Sequence, residues 1–144
     1  MNCPPVGRSP RLPKPTHSWF MKIATIIARV LLGLMFVVFG SNIFLHFIPM
    51  PPLPATLAGD FSKALMQSHY VYVVGALQLV GGLLLLIGRY VALGLTLLGP
   101  VIVNILLFHI FLDTSGLPMA LVVSALALFL LWRYRGNFAG LVKP

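Results

Sequence analysis

Several polar side chains lie inside apolar runs of this chain: Arg29 and Asn42 in the first, Gln78 in the second, and Asn104 with His109 in the third. Hydrocarbon penalises such groups unless each finds a partner. Amides and an imidazole in that setting can hold the oxygens of a ligand. Imidazole can also ligate metal or carry a proton, and an arginine can set a field or hold an anion. Asp113 closes the third run as Phe108-His-Ile-Phe-Leu-Asp113-Thr-Ser-Gly-Leu-Pro118, which reads as a tight turn with Pro118 opening the next helix.

A rise of about 1.5 Å per residue lets depths be compared between antiparallel helices. Gln78 and Ser124 then fall about 10 Å below the outer hydrocarbon edge, and Asn104 about 20 Å above the inner one, which is one height in a core ~30 Å thick. Asn42 and His109 share a second layer nearer the outer face, with His46 just above. The plainer account of these layers is interhelical hydrogen bonding, worth about 0.6–2 kcal/mol per bond. Asn104 and His109 are also five residues apart, about 140° around a regular helix. They face one pocket only if the helix is distorted or the site lies between helices. Arg29 has two structural options, snorkelling to the nearer surface or bonding the Thr96 carbonyl that Pro100 deprives of its helical donor.

His46, His69 and His109 all lie toward the outer side, but no HxxxH or HxxE spacing supports a metal or haem site. The single cysteine, Cys3, excludes an internal disulfide or a CxxC centre. No flavin or nicotinamide fingerprint is present, and no carboxylate lies in the core. No catalytic residue set is identified, and activity in isolation is not expected.

The elements that must position these groups follow from composition. The 144 residues are 59% hydrophobic and 8% charged, against roughly 25% charged in soluble domains, so the solvent is lipid. Residues 1–18 form a basic, proline-rich arm that cannot pack; Met21-Lys22 is an alternative natural start. The membrane domain covers residues 19–135, with spans at about 19–47, 70–88, 90–112 and 117–132 and a short tail at 136–144. Leu57, Phe61 and Leu65 recur every four residues, which predicts a short amphipathic helix on the membrane surface in the first outer loop, opened by Asp60. Trp132, Tyr134 and Tyr90 suit an interfacial belt. Glycines spaced by seven, Gly33 with Gly40, Gly75 with Gly82 and Gly81 with Gly88, predict close helix packing.

The formal net charge of +8 is topogenic rather than a nucleic-acid footprint. Arg8, Arg11, Lys14, Lys22, Arg89, Arg133, Arg135 and Lys143 fall on one side of the spans, against Lys63 on the other, which places both termini in the cytoplasm. The fold class is therefore an all-α, integral membrane four-helix bundle.

The stretches Arg29-Val-Leu-Leu-Gly-Leu-Met-Phe-Val-Val-Phe-Gly40, Gln78-Leu-Val-Gly-Gly-Leu-Leu-Leu-Leu-Ile-Gly88 and Asn104-Ile-Leu-Leu-Phe-His-Ile-Phe-Leu-Asp113 resemble the DoxX-like family of small bacterial membrane proteins. The likeness covers roughly residues 22–135. It implies a four-helix protein of the bacterial inner membrane, associated in some members with quinone-linked oxidoreductases. Many relatives carry an acid before the paired glycines of the second span. Gln78 stands there instead, and an amide cannot relay a proton. The leading expectation is a redox-associated subunit that binds a quinone-like or other small apolar ligand between helices, through Arg29, Asn42, Gln78, Asn104 and His109. Electron transfer would need a cofactor or a membrane or periplasmic oxidoreductase partner. A second copy of the chain is a further candidate partner. The alternatives are a structural or assembly subunit and, with less support because acids are missing from the core, a small transporter.

Overall fold

The computed structural model describes residues 17–49 and 52–142. They form α1 (His17–Leu45), α2 (Leu57–Gln67), α3 (Tyr70–Ile87), α4 (Val91–Phe111), a 3₁₀ turn at Thr114–Gly116, and α5 (Leu117–Val142). There is no strand among the described residues. Helices α1, α3, α4 and α5 include segments long and apolar enough to cross a bilayer. Almost all of the arm proposed for residues 1–18 lies outside the described residues.

The four long helices close a ring: α1 packs on α3 and α5, and α4 packs on α3 and α5. Leu32, Phe36, Leu85, Leu98 and Leu130 are fully buried at its centre. The outward faces are apolar too, with Ile27, Leu31, Leu34, Leu83, Leu93, Val103 and Leu128 exposed. That pattern suits hydrocarbon and would be an aggregation surface in water.

Glycine lets α1 and α3 touch. A methyl built on Gly33 would lie 3.0 Å from the Gly82 carbonyl oxygen, and one on Gly40 would lie 2.8 Å from the Leu79 nitrogen. The seven-residue spacing thus produces a seam for two of its three pairs. The third divides. Gly81 approaches Gly94 of α4, whereas Gly88 leaves the helix with φ +78° and ends α3 in the left-handed region, its N–H donating to the Leu84 carbonyl.

The ends of the elements differ from the sequence expectations in three places. Helix α1 stops at Leu45 rather than near Phe47, because the backbone reverses at His46, φ 51°. Helix α5 runs on to Val142, so residues 136–142, read as tail, continue the helix despite Gly136 and Gly140. Helix α2 is opened by Thr56, whose hydroxyl accepts from the Gly59 N–H at 3.5 Å, and Asp60 lies in its first turn. Phe61 of α2 packs against Phe108 of α4, ring centroids 5.7 Å apart.

Candidate functional site

Toward one end of the ring, α1, α3, α4 and α5 leave a cavity of about 460 Å³ between them. Its walls are mainly apolar, with Met35, Phe36 and Phe39 from α1 and Met119 and Val123 from α5. Phe39 and Met119 are 54% and 62% exposed. They mark the rim where the cavity opens sideways between α1 and α5. Asn42, Gln78 and His109 supply its polar side chains, one from each of α1, α3 and α4.

The three differ in how much bonding capacity remains to them. Asn42 is buried, and its side chain is engaged on both ends: Oδ1 accepts from the Ile48 N–H at 2.7 Å and Nδ2 donates to the Ile48 carbonyl at 3.4 Å. It staples the chain after α1 to the helix it has just left. Gln78 is 8% exposed, and its Oε1 is buried with no hydrogen-bond partner among the described residues. An unpaired buried acceptor costs about 1–3 kcal/mol.

His109 is half committed. Its Nδ1 lies 2.9 Å from the Asp113 carbonyl oxygen, which can only accept, so Nδ1 carries the proton. The ring lies over Gly116, where a methyl would come within 2.7 Å of either ring nitrogen. That seat follows from the turn. The Asp113 carboxylate caps Thr114–Gly116 by accepting from the Ser115 N–H at 3.0 Å. Hydrogen bonds from the Ser115 side chain and backbone hold the Asp113 carboxyl below its ordinary range. This stabilising contribution is present above the unfolded-state value and is lost as pH falls through the lower folded one.

Two of the five residues expected to bind ligand lie elsewhere. Asn104 is exposed, on a separate groove of about 250 Å³ formed with Phe61, Leu65, Val74 and Leu77 between α2, α3 and α4. The 140° that separates it from His109 is kept, because α4 stays helical through Pro100. Arg29 sits far along α1 from Asn42. A methyl on Gly88 would lie 2.6 Å from its Cζ, so the guanidinium covers the C-terminal end of α3. Thr96, the partner weighed from the sequence, is exposed and donates its hydroxyl to the Ala92 carbonyl at 2.9 Å. The layer of Gln78, Asn104 and Ser124 is dispersed in the same way. Ser124 donates to the Ala120 carbonyl at 2.8 Å and lines a third groove with Leu95 and Ile102. Equal height did not mean a shared face.

The sequence reading missed Gly116 and the cavity's apolar walls. The signal for Gly116 was its place seven residues after His109, just before α5. No group of three or more His, Cys, Asp or Glu side chains is gathered for a metal among the described residues.

Comparison with known proteins gives one informative likeness. Over 97 residues the chain is 32% identical to the uncharacterized protein YwoB of Bacillus subtilis (strain 168), a match covering 65% of this chain and 63% of that protein. The chain thus spans less than two thirds of that relative's length. No family model matches, and no solved structure does.

Proposed function

We propose that this chain is a DoxX-like protein of the bacterial inner membrane that holds the head group of a quinone-like lipid in the cavity bounded by Asn42, Gln78 and His109. The observation that carries the reading is Gln78. A buried amide oxygen without a partner among the described residues, on a side chain that lines a cavity, is the mark of a site completed by something else. A cavity of about 460 Å³ is within the ordinary range for small-molecule sites. Its sideways rim at Phe39 and Met119 suits a ligand that arrives from the bilayer.

In this reading the protein is a redox-associated subunit, and electron transfer belongs to an oxidoreductase partner. Both termini are cytoplasmic, as the one-sided basic residues imply, and α2 lies on the outer membrane surface. A reporter fused at either terminus should be active only on the cytoplasmic side. The structural alternative, in which polar groups tie helices together, draws no support from Asn42 or Ser124, whose bonds stay within their own chain segments.

Gln78→Leu separates the two. If Gln78 serves a ligand, the variant folds with equal stability or gains about 1–3 kcal/mol by losing an unpaired acceptor, and its quinone content after purification from native membranes falls. If Gln78 ties helices together, the variant is destabilised and quinone content does not follow the substitution. The second result would sink the ligand reading.

A further inference from the structure

The cavity's polar groups are not neutral toward the oxidation state of a quinone-like ligand. Asn42 is occupied by Ile48 at both ends of its amide. Gln78 offers an amide, which can present either its oxygen or its N–H, so it serves a carbonyl or a hydroxyl equally. His109 is different, because the Asp113 carbonyl at 2.9 Å fixes the proton on Nδ1. In the neutral ring Nε2 then carries a lone pair and can only accept.

We infer that the cavity selects the reduced, hydroxyl-bearing form of its ligand, with Nε2 of His109 accepting a hydrogen bond from a quinol. The inference rests on the ligand-binding reading above and adds the redox state to it. A quinone presents two carbonyl oxygens, which accept and cannot donate. Brought against Nε2, such an oxygen meets a lone pair and leaves the imidazole unpaired, whereas a quinol hydroxyl pairs with it. The geometry resists inversion. Turning the ring to offer Nδ1–H to the cavity would break the Asp113 bond. The Asp113 carbonyl is itself held by the turn that its carboxylate caps through Ser115, 3.0 Å away. Gly116 completes the arrangement, since any side chain there would occupy the ring's place. Asp113 and Gly116 are positioning residues, and His109 is the one that meets the ligand.

The test uses the full-length protein in lipid nanodiscs, with decyl-benzoquinol and its oxidised form as probes, under anaerobic, mildly alkaline conditions. The wild-type protein should bind the quinol about tenfold more tightly, through the hydrogen bond that only a hydroxyl can give to Nε2 of His109. His109→Phe keeps a flat ring without an acceptor and should bring the two affinities within about twofold of each other. Gln78→Leu should weaken both forms alike. Equal affinities in the wild type, or tighter quinone binding, would overturn the redox selectivity and leave the cavity as a site. Binding of neither form would overturn the site as well. Histidine-selective ¹⁵N NMR gives a readout that does not depend on any variant folding: a proton on Nε2 of His109, with Nδ1 bare, would also remove the basis for selectivity.

Discussion

Two glycines at opposite ends of the bundle each carry a polar side chain laid over them, and the two seats have different outcomes. At Gly88 the Arg29 guanidinium covers the end of α3, where the last carbonyls run out of helical donors and the dipole concentrates partial negative charge. The cation is matched in charge to the place it occupies. Its Nε is nevertheless buried without a hydrogen-bond partner among the described residues, so the match is electrostatic rather than complete. At Gly116 the His109 ring fits by the same steric device, but only Nδ1 is used and Nε2 is left over. What distinguishes a site from a cap is the bonding capacity remaining once the fold has been satisfied. By that measure Asn42, bonded at both ends of its amide, is spent on the fold, whereas Gln78 and His109 keep capacity that a ligand could use.

The comparison breaks first at Gly88. Gly88→Ala forces a left-handed residue to carry a Cβ, at about 1–2 kcal/mol, and also displaces the guanidinium. The combined loss should be about 2–4 kcal/mol, measured by unfolding in nanodiscs. A loss below about 1 kcal/mol would mean that the seat contributes nothing. Pairing it with Arg29→Met should be less than additive, as expected for residues in contact. Asn42→Ala comes next, because it removes a buried amide that holds both the N–H and the carbonyl of Ile48. It should cost about 1–3 kcal/mol and increase hydrogen exchange at the Ile48 amide, with ligand binding reduced only as far as folding is.

The sequence made the membrane architecture legible for a plain physical reason. Apolar runs of spanning length have few alternatives in lipid, and Gly88 and the Asp113–Pro118 turn leave little freedom over where the second and third stop. Gly33, Gly40, Gly75 and Gly82 announced their seam because close backbone approach requires the absence of a side chain. The site was legible only in part. Depth follows from counting residues, so the polar layers could be set by height. Azimuth depends on how each helix is rotated against its neighbours, and highly apolar helices leave no polar face to reveal that rotation. Asn104 was therefore grouped with residues it does not face. Which polar atoms were already spent, as on Asn42, depended on the reversal at His46, a conformation that the sequence alone does not announce.

Gly116→Ala sharpens the comparison from the other side. Gly116 does not have a left-handed backbone, so the fold should lose no more than about 1 kcal/mol. The displaced imidazole should nevertheless give up the Asp113 bond, and with it most of the roughly tenfold preference for the quinol. A Gly88 substitution acts on stability, and a Gly116 substitution acts on ligand binding. If both variants lost stability equally, the distinction between cap and site would fail.

The smallest expected effect lies at Asn104, and its smallness is informative. The residue is exposed on the groove beside α2, at the height of Gln78 but around the other side of α4. Asn104→Leu should change stability by no more than about 0.5 kcal/mol, as at other exposed positions, and should leave quinol affinity untouched. Gln78→Leu at the same depth should lose affinity. Two amides at one level in the membrane would then differ in function only because of the direction each faces. An Asn104→Leu variant that lost binding as Gln78→Leu does would move the ligand out of the cavity and toward α2.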